Sequence, residues 1–145
     1  MLVTVTNNEN VLAIIIKAAF KKEGIEFFTS NKFSQQVAYM NRPKKYVIPA
    51  HLHHPVPRDI LHTKEVLFIK SGKLRIDFYD DDKKYIESRV LEKGDTIILC
   101  YGGHGFEMIE PTEILEVKQG PYVGENDKER FPSVEKSKII IKGDT

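Results

Sequence analysis

The chain reads as an all-β protein, a sandwich or barrel, and two observations predict it. From residue 25 onward the sequence is a succession of short runs with strand character, bounded by turn residues. Those turns recur at regular intervals, among them Ser71-Gly72, Asp80–Lys84 and Glu92-Lys93-Gly94-Asp95. Many short strands joined in this way build two packed sheets or one closed sheet. Helices contribute little.

Taken in order, Leu2–Thr6 is a strand and Asn7–Asn10 the turn after it. Val11–Lys22 reads two ways. Its run Val11–Ile16 suits a buried strand, whereas the Ala-rich end before Gly24 suits a short helix. Periodicity does not settle so short a run, and the strand is preferred. Further strands are expected at Ile25–Thr29, Gln35–Asn41, Tyr46–His53, Glu65–Ser71, Lys73–Tyr79, Ile86–Leu91, Asp95–Leu99, Gly105–Ile109 and Glu113–Gln119. Ser71-Gly72 is read as a hairpin turn between two alternating runs. The tail from Gly120 to Lys136 is polar and turn-rich, and Lys138–Lys142 could add one more strand, paired with a partner subunit.

Composition narrows the function classes. The 145 residues suffice for one domain, and 41% apolar residues argue against disorder. Lys and Arg total 22 against 21 Asp plus Glu, a formal charge of +1. No basic surplus is left to hold a phosphate backbone, so nucleic acid is not an expected partner. Met1–Thr6 lacks the basic and apolar regions of a secretory signal, and Val11–Ile16 is far shorter than the ~20 residues that span a bilayer. With Cys100 as the single cysteine, no internal disulfide forms. A cytoplasmic protein without membrane contact is the expectation.

Four residues carry the chemistry. On a strand, His51 and His53 would project from one face while Leu52 and His54 point the other way. Two imidazoles so spaced can chelate one ion. Glu65 opens the apolar run Glu65–Ile69, where a carboxylate is costly to bury unless paired or bound to a cation; the alternative is an exposed strand end. His104 sits among Gly102, Gly103 and Gly105, which let the backbone turn and leave space beside the ring. Imidazole and carboxylate together suit a divalent metal such as Fe, Mn, Zn or Ni. Arg58, in the stretch between His53 and Glu65, could clamp a carboxylate or phosphate, or be a solvated loop residue. Lys118 and Tyr122 are further candidates for substrate contact, with an outward-facing strand residue and rim packing as their alternatives. Cys100 reads as a packed core thiol.

In their order along the chain, His51-x-His53, Glu65, Gly72, Gly94, Gly102 and His104 resemble the two motifs of the cupin superfamily. The resemblance covers roughly residues 40–120. It departs from the usual pattern at Lys45, Cys100 and Met108, and in the long gap from His53 to Glu65, which holds His54 and His62. His62 could therefore replace an assigned ligand. The resemblance implies a single domain over residues 1–145: a jelly-roll barrel core at about 35–120, N-terminal strands or a short helix before it, and a tail after 120. It also implies one divalent metal ion held by His51, His53, Glu65 and His104, and a homodimer paired through edge strands. Three functions follow as expectations. The first is a small metal-dependent enzyme acting on a polar or anionic metabolite. The second is a sugar-like binding or sensing module, or a metal-free epimerase in which a histidine is the base and a tyrosine the acid. The third is a protein with a purely structural metal.

Overall fold

The computed structural model describes residues 1–143, and over them the chain is all-β. The strands are β1 (Leu2–Asn7), β2 (Asn10–Ile16), β3 (Gly24–Phe27), β4 (Ala38–Asn41), β5 (Glu65–Ser71), β6 (Lys73–Tyr79), β7 (Tyr85–Glu92), β8 (Thr96–Leu99), β9 (Gly103–Met108) and β10 (Glu113–Lys118). Short 3-10 turns follow at Gly124–Asp127 and Lys136–Lys138. Among the described residues no helix is long and apolar enough to cross a membrane. The chain divides into two compact units, Met1–Phe20 with the chain from Lys64 onward, and Lys21–Thr63.

The first unit holds two antiparallel sheets, one ordered β1-β2-β8-β5-β10 and the other β7-β6-β9. Val11–Ile16 is strand, as preferred: β2 sits between β1 and β8. Inward-facing residues of both sheets meet in one core. Val3, Val5, Ala13, Ile15, Leu67, Ile69, Ile97 and Leu99 come from the larger sheet, and Leu74, Ile76, Phe78 and Leu91 from the smaller. Each buried Val, Leu, Ile or Phe side chain contributes about 1.5–3 kcal/mol by leaving water.

Three long ribbons, residues 65–79, 85–99 and 103–118, each run through one sheet and bend into the other. The register continues round the bends, since 65–71 pair with β8 and β10 while 73–79 pair with β7 and β9. Bonds from Ile69 N–H to Asp95 O and from Ile109 N–H to Lys73 O carry the ladder through the corners.

This arrangement corrects three expectations. Ser71-Gly72 closes no hairpin, because β5 and β6 lie in different sheets; it is a corner. Gly72 is needed there, with φ of +82° and a Cβ position only 2.1 Å from Pro111 O. Glu92–Asp95 is likewise a corner, braced by the buried Asp95 carboxylate, which accepts bonds from Lys17 Nζ, Ala18 N and Glu92 N at 2.6, 2.9 and 2.9 Å. Nor does a closed barrel form among the described residues, since the strands hydrogen-bond as separate sheets. Asp80–Lys84 and Asn7–Asn10 do turn hairpins, β6–β7 and β1–β2.

The C-terminal apolar triplet makes one parallel bridge, Ser88 with Ile141, and not a full strand. It lies along β7 of its own chain.

In the second unit, β3 and β4 form a two-stranded ribbon, Gly24 opposite Asn41 through Phe27 opposite Ala38. Buried Thr29 and the Gln36 amide pin the connecting loop, Gln36 Nε2 donating to Ser30 O and Phe33 O at 2.9 Å each. Residues 42–63 then form no strand, so the expected strand Tyr46–His53 is absent. Pro43, Pro49, Pro55 and Pro57 explain it: each removes a ladder donor and restricts the residue before it. Side chains through this stretch are exposed.

Candidate functional site

Glu65 opens β5 directly opposite Leu99 on one side and Lys118 on the other. Alternation puts it on the inward face with Leu67 and Ile69, and only 9% of the residue is exposed. The exposed-end reading of Glu65 therefore fails. His104 is the second residue of β9, opposite Phe78 of β6 in the other sheet. Its Nε2 lies 3.1 Å from Glu65 Oε2, so one contact ties the two sheets together. The hydrogen bond from His104 holds the Glu65 carboxyl below its usual range, against the opposing effect of burial. The imidazole charge when present, Lys118 and Lys128 act in the same direction. With Glu65 ionised, Nε2 carries the donated proton, and in the neutral ring the lone pair falls on Nδ1.

The glycines before His104 have defined tasks. Gly102 has φ of +73°, and a Cβ there would stand 2.3 Å from Tyr79 O. A Cβ on Gly103 would stand 2.9 Å from Phe131 Cζ. The cluster thus permits close packing on both sides of the strand that presents His104. Phe106, two residues on, shares its face, with ring centroids 5.3 Å apart.

Lys118 lies on the inward face beside Glu65, and its Nζ pairs with Glu116 Oε1 at 2.9 Å. Glu116 chiefly raises its pKa. Tyr122 is 82% exposed, near Arg130 and after the cis Gly120–Pro121 bond. Cys100 is buried, its thiol pushed up to about 11 by burial, as suits a packed core sulfur.

His51 and His53 belong to the other unit. Their rings meet edge to face with centroids 5.4 Å apart, and His51 Nδ1 donates to Pro49 O at 2.9 Å. They come together on an exposed loop and not by strand alternation. His54 and His62 are exposed on the same loop. Arg58 lines a cleft of about 650 Å³ within this unit, with Phe27, Lys32, Phe33, Asp59 and Ile60.

The four expected ligands are therefore placed as two pairs, Glu65 with His104 and His51 with His53. Among the described residues no three His, Cys, Asp or Glu side chains gather into a metal-binding group. The donor groups of each pair suit a divalent ion.

Lys128 and Phe131 were not legible as site residues, because they lie in a polar tail without periodicity. The one signal was a lone Phe in a charged stretch.

Compared with known proteins, the chain matches no family model, no curated protein and no solved structure.

Proposed function

We propose that the chain is a cupin-type jelly-roll protein whose Glu65–His104 pair is the centre of a site for a small polar molecule. The observation that carries this reading is the 3.1 Å contact between a buried carboxylate and an imidazole borne by opposite sheets. Packed strands hold both groups, so the site is ordered before any ligand arrives. Glu65 fixes the ring and its proton on Nε2, and Nδ1 is then the atom that exchanges a proton or hydrogen bond with the ligand. The jelly-roll assignment draws support from the three bent ribbons, which distribute consecutive strands between two antiparallel sheets.

The test is a binding screen of sugars, sugar phosphates and small carboxylic acids, read by the rise in melting temperature. Ligands of this site stabilise the wild type and lose that effect in Glu65→Gln and His104→Ala. Hits that stabilise both variants as well as wild type contradict the proposal.

A divalent metal at the same pair is a second reading. It is favoured because a carboxylate and an imidazole, both metal-donor groups, are in contact and Glu65 is held ionised; the ion would take the place of the proton on Nε2. Such an ion would need further ligands, for which the sequence nominates His51 and His53. Elemental analysis decides this: near-stoichiometric metal in wild type, lost in both His51→Ala and His104→Ala, supports it. Protein purified without chelators and free of metal rejects it.

A further inference from the structure

The chain beyond β10 returns across the three-stranded sheet and is fastened to it repeatedly. Phe131 stands edge-on to Tyr79, with centroids 5.0 Å apart, and meets the vacant Cβ position of Gly103. Tyr79 and Gly103 are direct partners in the β6–β9 ladder, so Phe131 seats on the strand that bears His104, one residue away. Farther along, Val134 N–H donates to Tyr79 Oη and Ile140 N–H to Tyr85 Oη, each at 2.9 Å. Ser88 exchanges backbone bonds with Ile140 and Lys142, and Lys142 Nζ reaches the buried Glu87 carboxylate at 2.5 Å. Arg89 closes the series by donating to Gly143 O.

Three residues before the Phe131 anchor stands Lys128, within electrostatic reach of Glu65. Of the other charges at that end, Glu65 is paired with His104, Lys118 with Glu116, and Glu125, which Lys128 also reaches, with Arg130, while Asp127 acts on Lys118. Among the described residues the Lys128 ammonium forms no ion pair. A cation outside any ion pair, on a segment anchored next to the His104 strand and within reach of Glu65, is a recognition element for an anion.

We infer that residues 128–143 are a strap whose Phe131 anchor presents Lys128 to the Glu65–His104 centre, so that its ligand carries a carboxylate or phosphate. This rests on the proposed site and names its ligand class. Phe131 acts as a positioning residue and Lys128 as a specificity residue.

The test titrates inorganic phosphate into full-length protein while following the His104 imidazole resonances by NMR. Phosphate is expected to move them in wild type. In Lys128→Gln the apparent Kd rises about fivefold, the loss of one charged contact. Phe131→Ala weakens phosphate to a similar degree and also shifts the His104 resonances before phosphate is added. Phe131→Leu, which keeps an apolar anchor, stays within about twofold of wild type on the same scale. Should Phe131→Ala fail to fold, Lys128→Gln and Phe131→Leu still decide the matter. Equal phosphate affinity in wild type and Lys128→Gln overturns the inference, as does a wild-type His104 indifferent to phosphate. Uncharged screen hits that depend on Glu65 and His104 would leave the site standing while removing its anionic ligand class.

Discussion

In the unit formed by residues 1–20 and the chain from Lys64, eight strands pair over long registers and Leu74, Ile76, Ile69 and Ile97 are wholly buried. In the unit of residues 21–63, backbone pairing in strands is confined to β3 and β4, while Val47, Leu52 and Leu61 are 74–89% exposed. The same two residue types that attract attention in the sequence, histidine and carboxylate, therefore sit in different physical settings. Glu65 and His104 hang from ladders whose hydrogen bonds and packing fix their positions. His51 and His53 hang from a proline-interrupted loop, where no ladder fixes them. Chemistry that needs geometry held to a fraction of an ångström belongs on the first kind of support. That contrast favours Glu65 and His104 as the proposed site.

The contrast can be broken most forcefully in the core. Ile76→Ala is expected to cost about 2–5 kcal/mol by transfer and cavity terms together. Leu52→Ala, at an exposed position, should stay within about 0.5 kcal/mol of wild type. Denaturant midpoints measure both, and comparable losses would mean that the second unit holds a core of its own.

A smaller effect is expected at the corner. Gly72→Ala adds a methyl group 2.1 Å from Pro111 O on a backbone with φ of +82°. It should lower stability by at least about 1–3 kcal/mol, seen as a drop in melting temperature. An unchanged melting temperature would remove the bent-ribbon account of residues 65–79.

The carboxylate gives a pH signature. Glu65 has its pKa lowered by folding, so its contribution to stability is complete above the ordinary carboxylate range. It is lost as pH falls through the lowered folded value. The stability difference between wild type and Glu65→Gln should therefore narrow on acidification below about pH 4.5. A difference independent of pH, measured by urea unfolding at several pH values, would show that Glu65 is not held ionised.

The smallest effect is expected in the loop. His51→Ala and His53→Ala should each change stability by less than about 0.5 kcal/mol in metal-free protein. A larger loss would place these rings in a supporting structure.

Much of this was legible residue by residue. The bounds Glu65–Ser71 and Lys73–Tyr79 read correctly because alternation is a local property of a half-buried strand. Which sheet each strand joins is not local, so Ser71-Gly72 read as a hairpin when it is a corner. Tyr46–His53 read as a strand because its apolar residues outweighed Pro49 and the neighbouring prolines, which deny the ladder its donors. Glu65 and His104 stood out through their surroundings, an apolar run and a glycine cluster. Phe131 and Lys128 could not stand out, since their importance comes from where the tail returns. No pattern within the tail encodes that return.

The most direct measurement of the central claim is the nitrogen-15 spectrum of the five imidazoles, wild type beside Glu65→Gln. The account predicts that His104 alone has its proton fixed on Nε2, and that Glu65→Gln changes the His104 signals while leaving those of His51, His53, His54 and His62 in place. A His104 ring indifferent to Glu65→Gln, or one with its proton spread over both nitrogens in wild type, would contradict it.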